Sequence, residues 1–170
     1  MKLTTTVHYL ILLALLALLQ GCGFHLRGSS TTDANLPDDI SPLLIQGLGQ
    51  NDFLKLELEN QLVNSDVQVI DTAAEAASVL RITDRKSDRR VETVDSRGKV
   101  LEYRLRETLS LELVDRTGNV RVPAQSLELI RIYAYEEQVL GSQQEESFLR
   151  KDMWRHMADQ ILTRLSRQLR

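Results

Sequence analysis

One cysteine and three histidines are the side chains in this sequence that could most readily do chemistry. Cys22 is the only thiol, and the histidines are His8, His25 and His156. No two of the histidines have the spacing of paired zinc ligands. No serine, histidine and aspartate fall into a nucleophile-elbow motif, and no glycine-rich phosphate loop follows a predicted strand. We therefore expect no enzymatic activity, no metal site and no bound cofactor.

The residues before Cys22 indicate a different use for its sulfur. Ten consecutive apolar residues, 10–19, precede it. As a helix they would span about 15 Å, half of a ~30 Å hydrocarbon core, which is typical of a secretory signal peptide. Leu19-Gln20-Gly21-Cys22 resembles a bacterial lipobox. We predict a lipoprotein signal peptide over residues 1–21 and a covalent diacylglycerol and N-acyl lipid on Cys22. The alternative is a plain signal peptide followed by an idle cysteine.

Lipidation would place the mature chain in the periplasm, tethered to a membrane. Two or more acyl chains hold a protein stably on a bilayer. Gly23, in place of the aspartate that retains lipoproteins at the inner membrane, favours the outer membrane. Removing Lys2 with the signal peptide lowers Lys plus Arg from 21 to 20, against 24 Asp plus Glu. This mildly acidic balance argues against a nucleic-acid partner, which would select a basic surface.

The rest of the chain is predicted to be a flexible tether followed by a single domain. Residues 22–37 are rich in Gly, Ser, Thr and Asp, as tethers are, and residues 38–170 have the length of one domain. Alternation of apolar and polar side chains is clearest over residues 100–114, which indicates a strand with one buried and one solvated face. Further strands are predicted at 42–48, 78–94 and 120–136, with a short strand or strand start at 67–70 and glycine-containing turns at 95–98 and 115–119.

Two amphipathic helices complete the predicted domain. Leu54, Leu58 and Leu62 recur at four-residue spacing before the long strands. After a capping box at residues 142–145, apolar side chains with the same spacing continue to the end of the chain: Leu149, Met153, Met157, Ile161, Leu165 and Leu169. We therefore predict an α+β fold, a two-layer sandwich in which a mostly antiparallel four-stranded sheet packs against two helices.

Two stretches of sequence resemble a known family. Residues 22–28, CGFHLRG, follow the lipobox, and residues 97–115, RGKVLEYRLRETLSLELVD, cover the central strand. Together with the order of the elements, they resemble the LptE (RlpB) family of lipopolysaccharide-assembly lipoproteins over essentially the whole mature chain.

The resemblance implies a non-enzymatic role at the outer membrane. A member of this family pairs about 1:1 with the β-barrel protein LptD, lies largely inside its lumen as a plug, and supports barrel assembly. It also binds lipopolysaccharide and helps insert it into the outer leaflet. The alternative is a lipid-anchored scaffold subunit of another envelope machine that does not handle lipopolysaccharide. A free-standing periplasmic lipid carrier would need an enclosed apolar cavity, for which two helices on a small sheet leave little room.

Two groups of residues are candidate contact sites. The first group lies on or beside the predicted 95–99 hairpin and consists of Arg89, Arg90, Arg97 and Lys99. These bases could converge on the phosphates of lipopolysaccharide, since arginine pairs with phosphate through a bidentate fork. The alternative is a solvated hairpin tip. The second group follows the lipidation site and would lie close to the membrane or the barrel, or else form part of the tether: Phe24, His25 and Arg27.

Overall fold

The computed structural model describes residues 36–135 and 142–170. The predicted signal peptide, Cys22, Phe24, His25 and Arg27 lie outside the described residues. The described elements follow a 3-10 turn at Asp38–Ile40 and are β1 (Leu43–Gln46), α1 (Phe53–Val63), β2 (Val69–Ile70), β3 (Ser78–Val94), β4 (Val100–Asp115), β5 (Val120–Ala134) and α2 (Ser142–Gln168).

The strands form one five-stranded sheet in the order β2-β1-β3-β4-β5. The three long strands pair antiparallel, as the sequence predicts. β1 is parallel to both of its neighbours, and α1 supplies the crossover that a parallel β1–β2 pair requires. The α+β fold is therefore confirmed, with one strand more than the four predicted. The fifth strand, β2, has two residues and lies within the short strand or strand start predicted at 67–70.

Both helices pack on one face of the sheet and enclose the core. The stripe of α1, Leu54, Leu58 and Leu62, is fully buried, and Asp52 caps this helix by accepting a hydrogen bond from the Leu54 amide at 2.9 Å. The stripe of α2 faces the same core, where Met157, Ile161 and Leu165 are also fully buried. The two predicted helical stripes are thus the two halves of one helix layer.

Bulges change which side chains of a strand face the helices. In β3, Leu80 and Ile82 face the core, but the pairing with β4 shifts between Thr83 and Lys86. Asp84 lies in this shift and has a positive φ of 51°. An extra residue in a strand reverses the alternation beyond it. From Lys86 to Val91, odd-numbered residues of β3 therefore share the helix side, and even-numbered ones the helix-free side. The pairing shifts again between Val91 and Thr93.

No helix in the described parts of the chain is long and apolar enough to span a membrane.

Candidate functional site

The β3–β4 hairpin positions Arg97 and Lys99 at a tightly built turn. The Asp95 carboxylate accepts hydrogen bonds from the backbone amides of Lys99, at 2.9 Å, and Arg97, at 2.8 Å. These backbone hydrogen bonds hold the pKa of Asp95 below its ordinary value. Gly98 takes φ of +80° to close the turn. The Arg97 side chain is 83% exposed and contacts Asp95 at 3.4 Å, so its guanidinium remains accessible to an anionic ligand.

Arg89 lies on the helix side of the sheet. Its guanidinium pairs with Glu146 of α2 at 2.8 Å and stacks over the Tyr103 ring at 4.6 Å from the ring centre. The hydrogen bond that Arg89 donates to the Glu146 carboxylate raises the pKa of Arg89 above its ordinary value. Arg89 therefore links α2 to the sheet.

Arg90 lies on the opposite, helix-free side, because consecutive residues of a strand alternate between faces. Its side chain is 73% exposed and pairs with Asp88 at 2.8 Å. The structure thus places Arg97 and Lys99 together at the turn, and separates Arg89 from Arg90 by the thickness of the sheet. The assignment of these four residues to lipopolysaccharide stays a prediction.

A buried ionic network joins α2 to the sheet close to Arg89. Glu107 of β4 is fully buried; its Oε1 accepts hydrogen bonds from Ser87 Oγ at 2.7 Å and from the Arg150 guanidinium. Arg150 also pairs with Glu146 at 2.8 Å, and Tyr133 donates to Glu146 at 3.2 Å. Burial alone would raise the pKa of Glu146, but the hydrogen bonds from Arg150 and Arg89 outweigh it and lower that pKa.

Sequence reasoning missed this network, although one signal for it was present. Glu107 stands at an odd position of β4, between Leu105 and Leu109, where the alternating pattern places buried side chains. A carboxylate in a buried register needs a cation. Arg150 directly follows Leu149, which belongs to the apolar stripe of α2. Only the folded structure shows that Glu107 and Arg150, 43 residues apart, are in contact.

No group of His, Cys, Asp and Glu side chains in residues 36–135 and 142–170 is arranged to hold a metal ion. The charged side chains that the structure brings together are instead arranged in ion pairs, or stand on open faces where an external anion could reach them.

The fold and these charged surfaces can be set against known proteins. The sequence model of the LptE family, described as lipopolysaccharide-assembly, matches residues 28–165. The LPS-assembly lipoprotein LptE of Pectobacterium atrosepticum is 25% identical over 146 residues, which are 85% of this chain and 77% of that protein.

Solved structures of lipoproteins share the fold. Lipoprotein B of Nitrosomonas europaea, solved by NMR, is 26% identical with a TM-score of 0.67, over 85% of this chain and 90% of that one. A minor lipoprotein of Acinetobacter baumannii is 27% identical with a TM-score of 0.64, over 76% of this chain and 93% of that one.

These matches define a class of bacterial lipoproteins with an open sheet and two helices. Within that class, the chain belongs to the LptE family.

Proposed function

We propose that this chain is an outer-membrane lipoprotein of lipopolysaccharide assembly, acting as a binding and assembly protein and not as an enzyme. The observation that carries the proposal is the match to the LptE family over residues 28–165. The name of the Pectobacterium relative, LPS-assembly lipoprotein, supports it. The lipobox before Cys22 and the glycine at position 23 support lipidation of Cys22 and anchoring on the periplasmic side of the outer membrane.

The partner in this proposal is the β-barrel protein LptD, bound about 1:1 with this chain as a plug in the barrel lumen. The lumen of a large barrel is polar, and the helix-free side of β4 is polar as well: Arg104, Arg106, Thr108 and Ser110 alternate with the buried Leu105, Glu107 and Leu109. A body with such a surface can lie in a polar lumen without an extended apolar patch.

The lipopolysaccharide contact is assigned to the hairpin side of the domain, where Arg97 is the most exposed of the predicted arginines. Lipid A phosphates are anions, and arginine and lysine recognise phosphate by bidentate and point-charge pairing respectively. Phe24, His25 and Arg27, directly after the lipid, are proposed to contact the membrane surface or the barrel.

The test is a pulldown of C-terminally tagged protein from detergent-solubilised outer membranes, with mass spectrometry of the co-purifying proteins. We expect LptD in about equimolar amount, and an intact mass for this chain that includes lipid on Cys22. A matched Cys22→Ala variant controls for anchoring. Recovery of a different envelope complex, or of this protein alone, would contradict the proposal and favour a scaffold role in another machine.

A further inference from the structure

Four bases stand next to one another on the helix-free side of the sheet, away from the hairpin turn. Arg90 of β3 lies directly opposite Arg104 of β4, and Arg106 lies directly opposite Asp88. Lys86 is two residues from Asp88 and therefore shares its face. The sequence does not group these bases, because strand pairing alone brings β3 and β4 side by side. We call Lys86, Arg90, Arg104 and Arg106 the basic face.

The basic face lines two adjoining grooves. The larger, of about 490 Å³, is lined by three of the bases and one carboxylate, with Ser87 and Thr108 completing it. The smaller, of about 220 Å³, includes Arg104, Glu128 and Ile130 and shares Arg90 and Arg106 with the first. A chain with a net charge of −3 thus concentrates positive charge in the larger groove.

The present partners of these bases are exchangeable. Arg90 pairs with Asp88 at 2.8 Å, Arg104 pairs with Glu92 at 2.6 Å, and Arg106 pairs with Glu128. The three arginine side chains are 73%, 44% and 46% exposed, respectively, and exposed ion pairs are weak. Lys86 pairs with no carboxylate among the residues that the structure describes. An external anion can therefore replace these contacts at little cost.

The register supplies a reason for an anion to bind here. Like charges directly opposite one another on an exposed sheet face repel, and Arg90 and Arg104 form such a pair. A phosphate between them would remove the repulsion and accept bidentate hydrogen bonds from each guanidinium. The third arginine, Arg106, lies beside Arg104 on the same face of β4, within reach of the same groove.

An apolar rim adjoins the basic face. Ile130 of β5 lies directly opposite Arg106, and Ile132 lies directly opposite Arg104. Both isoleucines are about half exposed, at 49% and 48%. Cations next to exposed branched side chains match a ligand that carries phosphate and hydrocarbon on one molecule.

We propose that the basic face and its apolar rim are a second binding site for a phosphorylated lipid, namely the phosphate-bearing lipid part of lipopolysaccharide. The arginines hold the phosphate, and Ile130 and Ile132 contact the adjoining hydrocarbon. This inference rests on the proposed function and adds to it a site on the helix-free side of the sheet, made by side chains outside the hairpin turn.

The test compares lipopolysaccharide binding by full-length protein variants in detergent. Arg90→Gln with Arg106→Gln removes the two arginines that line both grooves. Arg81→Gln with Arg121→Gln is the matched control, since it removes the same charge from two other surface ion pairs. We expect the groove variant to bind about tenfold more weakly, as for the loss of one good charged contact, and the control to bind like the wild type. Thermal unfolding followed by circular dichroism verifies that both variants fold.

Each outcome is decisive. If the wild type binds lipopolysaccharide and the groove variant binds as tightly as the control, this inference fails and the proposed function stands. If the wild type itself does not bind, the proposed function fails and this inference fails with it. A further variant, Ile130→Ser with Ile132→Ser, tests the lipid assignment with inorganic pyrophosphate as the second probe. We expect weaker lipopolysaccharide binding and unchanged pyrophosphate binding; unchanged binding of both probes would overturn the assignment to a lipid.

Discussion

Adjacent residues of this chain have unrelated environments, and Arg89 and Arg90 show why. Arg89 pairs with Glu146 of α2, whereas Arg90 is 73% exposed on the helix-free side. Composition groups both with the hairpin bases, but strand alternation divides them. At the scale of single residues, the charges that fasten α2 to the sheet are therefore distinct from those open to a ligand.

The hairpin assignment is testable at two of its residues. Reversing charge with Arg97→Glu and Lys99→Glu should weaken lipopolysaccharide binding while leaving recovery of LptD unchanged, because the turn itself is built by Asp95 and Gly98. Equilibrium binding and the pulldown described above measure the two effects. Lipopolysaccharide binding equal to that of the wild type would remove the hairpin from the site.

The buried pair of Glu107 and Arg150 predicts a large loss of stability when it is broken. Arg150→Met leaves a fully buried carboxylate without its cation and should lower the free energy of unfolding by about 3 kcal/mol. Urea denaturation measures this change. The control is Arg155→Met, because Arg155 is 52% exposed and meets Asp152 at 3.6 Å and Glu57 at 3.9 Å; it should cost less than about 1 kcal/mol.

A double variant separates the pair from simple packing. Glu107→Leu combined with Arg150→Met replaces the two charges by apolar side chains of similar size, which is often neutral for a buried ion pair. We expect it to recover most of the stability lost in Arg150→Met. A double variant no more stable than the single one would show that Arg150 contributes through its packing instead.

At the scale of elements, the sequence predicts a helix or strand only where the repeat of apolar and polar side chains continues over enough residues. The bounds of β3, residues 78–94, are predicted and observed alike, and the helical stripes are equally clear because each continues for several turns. The short strand or strand start predicted at 67–70 contains β2, but the parallel pairing of β1 was not predicted, since two to four residues carry no period. The Asp84 bulge was also missed, and with it the face on which each base of β3 lies.

The end of β1 depends on a glycine for its close approach to β3. Gly47 has φ of +95°, and a Cβ atom there would overlap the carbonyl oxygen of Ile82. Gly98 also has positive φ, but a Cβ atom there meets open space. Gly47→Ala should therefore destabilise the protein by about 3 kcal/mol or more, since backbone overlap is added to strain. Gly98→Ala should cost only about 1–2 kcal/mol. Thermal and urea unfolding of the pair measure the difference; equal losses would contradict the overlap.

At the scale of the whole molecule, the described domain has two packing regions of different character. One apolar core contains residues from α1, from the short strands, from the first part of β3 and from the second half of α2. Under the first half of α2, a smaller cluster of Leu105, Tyr133 and Met153 lies beside the ionic network. The sequence predicted the apolar core from its leucine spacing. It did not predict the ionic network beside the second cluster, because the charged residues of that network lie on three separate elements.

The shortness of β1 has a consequence for the backbone amides of the sheet. β1 pairs with only the first four residues of β3, Ser78–Arg81, and no other described strand covers the remaining length of β3 on that side. β4, by contrast, has a neighbour on each side over most of its length. In hydrogen–deuterium exchange followed by NMR, amides along β4 should exchange slowly throughout. In β3 beyond the Asp84 bulge, slow and fast amides should alternate, because every second N–H points away from β4.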